Sequence, residues 1–151
     1  MDKRIQRVRE YVLRHSYMSG FHGIEHWDRV YSNGQQLIVP GVNILVVGLF
    51  AYLHDSCRED DGEDIRHGER AALLIDQLRN TLLHDVSEEE IHLLREVCRL
   101  HTVALKTNNP TIDACFDADR LDLGRVGIIP DPARLATEKG KQIAAKNQKQ
   151  Y

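Results

Sequence analysis

Cysteine is scarce in this chain and unpatterned. Cys57, Cys98 and Cys115 stand far apart with no C-x-x-C between them, which argues against a thiolate metal site and a disulfide framework. An odd count without a framework fits a reducing compartment, so the expected location is the cytoplasm, and the thiols read as small buried groups. Charge of one sign is missing too. Lys and Arg number 20 against 23 Asp and Glu, a formal net charge of -3 with neutral His, so bulk electrostatics give no reason to expect a nucleic-acid polymer as partner. Long hydrophobic runs are absent. The longest, Val39 to Leu53, is interrupted by Pro40, Gly41 and Asn43 and is too short for a membrane span. The charged start, Met1 to Ile5, lacks the apolar core of a signal peptide. There is no G-x-x-x-x-G-K-[ST] and no serine in a nucleophile-elbow pattern, which argues against a P-loop and a serine hydrolase of that kind. No convincing strand, internal repeat, interdomain linker or low-complexity block is present.

What is there reads as an all-α, compact single-domain helical bundle over 1–151. Hydrophobic residues make up 42%, enough for a full core. Ile5, Val8 and Val12 line one face of a helix from Asp2 to His15, which Ser19-Gly20 breaks. Ile24, Trp27 and Tyr31 do the same from His22 or Gly23 to about Leu37. A central helix spans about Val42 to Cys57. An acidic loop, Arg58 to Asp64, precedes a fourth helix with Gly68, Ala71, Ile75, Leu78 and Leu82 at seam spacing. Ser87 with Glu90 forms a capping box for a fifth helix, its seam Ile91, Leu94, Cys98, His101 and Leu105. Asn109-Pro110 opens a sixth, with Ile112, Cys115, Phe116, Asp119 and Leu123 as seam. Asp131-Pro132 repeats that start signal for a peripheral C-terminal helix over 132–148, expected to fray from Lys139 on.

The central helix carries the chemistry. From Leu45 to Leu53 it is apolar or glycine all round, the mark of a buried helix, and it ends in His54-Asp55. An imidazole and a carboxylate at that place cost solvation unless they are paired or hold a metal. His101 and Asp119 interrupt otherwise apolar seams. A lone seam histidine is more often a hydrogen-bonded core group, but a buried carboxylate is harder to dismiss. Arg120 is adjacent to Asp119 and so points about 100° away around the helix. His22 and His26 share a face at i and i+4, although capping alone would explain His22. His67 opens the fourth helix and could join the set. Together these residues offer neutral nitrogens and carboxylates, a donor set for Mn, Fe, Ni, Co, Zn or Mg. His15, His84 and His92 lack such context and read as solvated.

The ordered set His26, His54-Asp55 and Asp119, with Gly23-Ile24-Glu25-His26-Trp27 upstream and Ala118-Asp119-Arg120-Leu121 downstream, resembles the HD-domain superfamily of metal-dependent phosphohydrolases. The likeness runs from about His22 to Gly127. It implies an all-helical fold and one metal held by His26, His54, Asp55 and Asp119. Two-metal members add histidines between the His-Asp pair and the last Asp, and His67 and His101 in that interval leave a second metal open.

A divalent ion in such a site would polarise a phosphoryl oxygen and acidify water. Asp55 is the expected proton acceptor, and His67 or His101, if free of metal, an acid for the leaving oxygen. Arg58 and Arg70 are the expected substrate-binding cations, though either would serve equally as a surface charge. Glu59 could orient water or face solvent. Asp122, one turn beyond Asp119, is a candidate partner for a ligand histidine. The expected activity is hydrolysis of a small phosphorylated molecule, a nucleotide among the candidates. The alternatives are a di-iron oxygenase, which needs His67 and His101 as ligands, and a non-catalytic module that binds metal or nucleotide. Self-association is left open.

Overall fold

A computed structural model describes residues 1–16 and 20–149. Among them the chain forms seven α-helices and no strand, the all-helical architecture expected. Helix α1 covers Lys3–His15, α2 Ile24–Gln36, α3 Ile44–Leu53, α4 His67–Leu78, α5 Glu88–Leu100, α6 Pro110–Arg120 and α7 Glu138–Gln148. A 3-10 turn, Gly20–His22, leads into α2. Ser19, half of the anticipated first break, lies outside the described residues.

Helix α3 is the centre of the bundle. Every residue from Leu45 to Leu53 is buried, and α1, α2, α5 and α6 all pack on it. Its start is fixed by Asn43. The Asn43 side chain accepts from the Val46 N–H at 3.0 Å, and its amide group donates to Glu90 Oε2 at 2.9 Å. Glu90 also completes the α5 capping box with Ser87. A Cβ at Gly48 would overlap Ile5 of α1, so the missing side chain lets α1 lie across the centre. No helix among the described residues is long and apolar enough to cross a membrane.

Several helices stop earlier than the hydrophobic seams suggest. The α3 helix ends at Leu53 rather than Cys57, because side chains take up its last carbonyls. His54 Nδ1 donates to Phe50 O and Ala51 O at 2.9 and 3.1 Å, and Ser56 Oγ to Leu53 O at 2.8 Å. Leu82, Leu105 and Leu123 lie past the ends of α4, α5 and α6, and Leu105 is exposed. The Asp131-Pro132 signal starts only a 3-10 turn, Pro132–Arg134. The last helix begins at Glu138, because Asp117 of α6 draws off the Ala136 and Thr137 N–H groups. It does not fray from Lys139, since Thr137 caps it through Gly140 N and the helix persists to Gln148.

Candidate metal centre

Five elements deliver the polar residues to one place. His54 and Asp55 follow the buried end of α3. His26 sits in the first turn of α2 and is fully buried. Asp119 projects from the last turn of α6, His67 opens α4, and His101 caps the end of α5. Histidines 26, 54, 67 and 101 are each anchored through Nδ1. The Nδ1–H of His26 donates to Asp122 Oδ2 at 2.7 Å, and Asp122 Oδ1 accepts from Arg29 Nε at 2.7 Å. His54 donates to the α3 carbonyls already described. His67 donates to the Asp64 carbonyl and His101 to the Cys98 carbonyl, the latter at 2.6 Å.

These anchors decide the tautomers. Carbonyls and ionised carboxylates only accept, so each Nδ1 must carry the proton and each neutral ring presents a bare Nε2. The Nε2 nitrogens converge. His26 Nε2 and His54 Nε2 are 3.3 Å apart. Asp55 Oδ2 lies 3.3 and 3.5 Å from them, and Asp119 Oδ1 lies 3.2 and 3.5 Å from them. On the other side of Asp55, its Oδ1 is 3.0 Å from His67 Nε2 and 3.8 Å from His101 Nε2, and those two nitrogens are 2.9 Å apart. Facing lone pairs at these distances repel unless a proton or a cation lies between them. Asp119 Oδ1 is itself buried without a hydrogen-bond donor. Two groups that could hold a metal therefore share one carboxylate: His26, His54 and Asp55, joined by Asp119, and Asp55, His67 and His101.

The electrostatics agree. Burial depresses the His26 imidazole, yet Asp119, Asp122 and Asp55 around it raise it to about 10. Burial opposes ionisation of Asp55 and Asp119, but the surrounding histidines hold both well below the usual carboxylate range. Without a metal, then, the centre keeps its carboxylates charged and takes up protons.

A cavity of about 280 Å³ opens onto this cluster, with His22, Arg58, Glu63, Ile65, Thr102 and Arg125 in its wall. Arg58 Nη1 is fixed by the Asp60 and Gly62 carbonyls at 3.1 and 3.0 Å. Its Nε has no hydrogen-bond partner and faces Asp55 Oδ1 at 3.7 Å. Arg125 is fixed likewise, Nε on Phe21 O and Nη1 on Asp122 O, while Nη2 stands 3.9 Å from Asp119 Oδ1. Arg70 sits elsewhere. It binds the Cys57 carbonyl and Asp64 and does not line the cavity, so it braces the acidic loop instead of meeting a substrate. Glu59 is largely exposed beside Arg70, the solvent-facing alternative.

Two residues of the wall carry more than the sequence suggests. His22 is buried with Nδ1 3.3 Å from Asp55 Oδ2 and Nε2 4.0 Å from Asp61 Oδ1, so both of its nitrogens face carboxylates. Its i, i+4 spacing to His26 was the available signal. Arg125 had none, because it reaches the site from a 3-10 turn, Leu123–Val126, after α6. No family model, curated protein or solved structure matches this chain.

Proposed function

We propose that this chain is a metal-dependent phosphohydrolase acting on a small phosphorylated molecule, a nucleotide among the candidates, as its motif likeness to the HD-domain superfamily implies. One observation carries the reading: the Nε2 atoms of four histidines whose Nδ1 is engaged elsewhere, together with the Oδ1 of Asp119 that lacks a hydrogen-bond partner, surround the shared carboxylate of Asp55. That donor set fits hard or borderline divalent ions. His26, His54, Asp55 and Asp119 would hold one, and Asp55, His67 and His101 a second. Bound there, such ions supply positive charge against a phosphoryl oxygen and lower the pKa of water.

The chain's own residues complete the task. Arg58 and Arg125 line the cavity, each guanidinium already fixed by backbone carbonyls, so they bind phosphoryl oxygens at little ordering cost. His67 and His101 act as ligands in this reading, because their protons are committed at Nδ1. Proton movement falls to His22, which stands between the buried Asp55 and the exposed Asp61.

The test is phosphate release from nucleotides and phosphomonoesters by protein loaded with Mn, Ni, Co or Mg. Turnover is expected from at least one pairing, and Asp55→Asn abolishes it. Silence from every loaded form, beside an active control enzyme, rejects the reading. The sharing of Asp55 by two groups also favours a second reading, a di-iron oxygenase. Iron stoichiometry with anaerobic reduction spectra tests it: one metal per chain excludes the oxygenase, and two irons without a redox-active spectrum leave the phosphohydrolase. A non-catalytic module would instead show strong thermal stabilisation by metal or nucleotide without turnover.

A further inference from the structure

The cavity has two electrostatic zones. Its inner part holds two arginines beside the ligand carboxylates: Arg58, 3.7 Å from Asp55, and Arg125, 3.9 Å from Asp119 and only 10% exposed, while the lining carboxylate Asp64 is paired with Arg70. Its solvent side is acidic: Glu63 is an exposed residue of the wall, and Asp61, outside the lining and with its side chain 53% exposed, stands 4.0 Å from Nε2 of the wall residue His22. Both belong to the loop 58–66, and the loop is fastened from inside. Arg58 Nη1 holds the Asp60 and Gly62 carbonyls, Asp64 Oδ2 accepts from Glu59 N at 2.9 Å, and Arg70 pairs with Asp64. These contacts fix the backbone on either side of Asp61 and Glu63. Ile65 and Thr102 are uncharged residues of the same wall.

A molecule whose phosphoryl group sits at the metal cluster and whose remainder leaves along the Glu63 wall passes these two carboxylates. A negative charge on that remainder would meet charges of the same sign, a repulsion that discriminates against it most at low ionic strength. We propose, resting on the phosphohydrolase reading above, that Asp61 and Glu63 are specificity-determining residues. They select a phosphomonoester whose remaining part is uncharged or cationic, and they disfavour substrates with a carboxylate or a further phosphate beyond the first. This narrows the substrate class from phosphorylated molecules in general to monoesters without a second anionic group.

Phosphonates isolate this selection from turnover, because their C–P bond is not an ester. The probes are 2-aminoethylphosphonate, propylphosphonate and 3-phosphonopropionate, alike in size and differing in the charge of the distal group. Calorimetric Kd values are measured on metal-loaded protein at low and at high ionic strength. The expected order of affinity is amino, then propyl, then carboxylate, spanning about ten-fold or more at low salt and shrinking when the Asp61 and Glu63 charges are screened. In the double variant Asp61→Asn, Glu63→Gln the span falls to within about two-fold. Equal binding of all three, or a span the double variant leaves unchanged, overturns the selection while leaving the phosphohydrolase reading in place. Failure of all three to bind protein that retains its metal overturns the phosphoryl-binding reading and this inference with it.

Discussion

Gly68 lies directly against the Cys98 carbonyl: a Cβ at Gly68 would stand 2.5 Å from that oxygen and 3.3 Å from the carbonyl of Arg99. This contact brings α4 and α5 together one residue after His67 and three residues before His101. It therefore sets the 2.9 Å approach of their Nε2 atoms. The same Cys98 oxygen accepts the Nδ1–H of His101. Gly68→Ala would push that oxygen away, costing about 1–3 kcal/mol as overpacking of a tight contact and tilting the His101 ring. Urea unfolding should report the lost stability. Elemental analysis should show that metal retained per chain falls while the His26 and His54 side keeps its ion.

Asp122 touches no substrate in this arrangement, yet it fixes the His26 ring through Nδ1 at 2.7 Å and is itself held by Arg29. Asp122→Asn removes the charge that favours the correct tautomer and basicity of His26. Losses of this kind cost about 10–100-fold in metal affinity. Competition against a chromophoric chelator should show such a drop, with circular dichroism unchanged. Equal affinity in the variant would mean that His26 is not a ligand.

Much of this centre was legible from residue order. An apolar run ending in His-Asp had to be buried, and a buried His-Asp pair had to have partners. The Asp on the α6 seam and the i, i+4 histidines then named most of them. Less legible were features set by backbone captured by distant side chains. Nothing local in Asp131-Pro132 tells that Asp117 will take the Ala136 and Thr137 N–H groups and delay the last helix to Glu138. Arg70 and Arg125 fail as sequence signals for the same reason. A guanidinium reaches far, and whether it meets a loop acid or a cavity depends on the turn that carries it.

Asp28 joins three helices. It accepts from Arg9 Nε and Nη2 of α1, both at 2.9 Å, and from the Tyr52 hydroxyl of α3 at 2.8 Å. The Arg9 guanidinium, with help from Tyr52, holds this carboxyl below its ordinary value of 3.8. The folded state thus binds its proton less readily than the unfolded state. The resulting stability is complete above the ordinary value and is lost as pH falls through the lowered one. Both partners are partly exposed, so solvent screening limits the contribution to about 1 kcal/mol. Unfolding free energies of wild type and Asp28→Asn from urea titrations should differ by that amount at pH 7 and converge at strongly acidic pH. A gap that persisted undiminished in acid would assign the effect to packing instead of charge.

Asp117 is fully buried, and burial raises its carboxyl above the usual range. Its oxygens accept from Ala136 N at 2.7 Å, Thr137 N at 2.8 Å and Thr137 Oγ1 at 2.7 Å, and a Cβ at Gly140 would collide with Oδ2. One side chain of α6 therefore latches the start of α7, two residues before Asp119 leaves the same helix for the metal centre. Asp117→Ala strands three donors, and leaving buried polar groups unpaired costs about 1–3 kcal/mol each when water cannot reach them. Water will enter as α7 loosens, so the expected loss is about 3 kcal/mol in total. Hydrogen exchange should quicken across 136–148 before it quickens in α3. Gly140→Ala should give the same local pattern by steric means, which ties the effect to the latch and not to the removed charge.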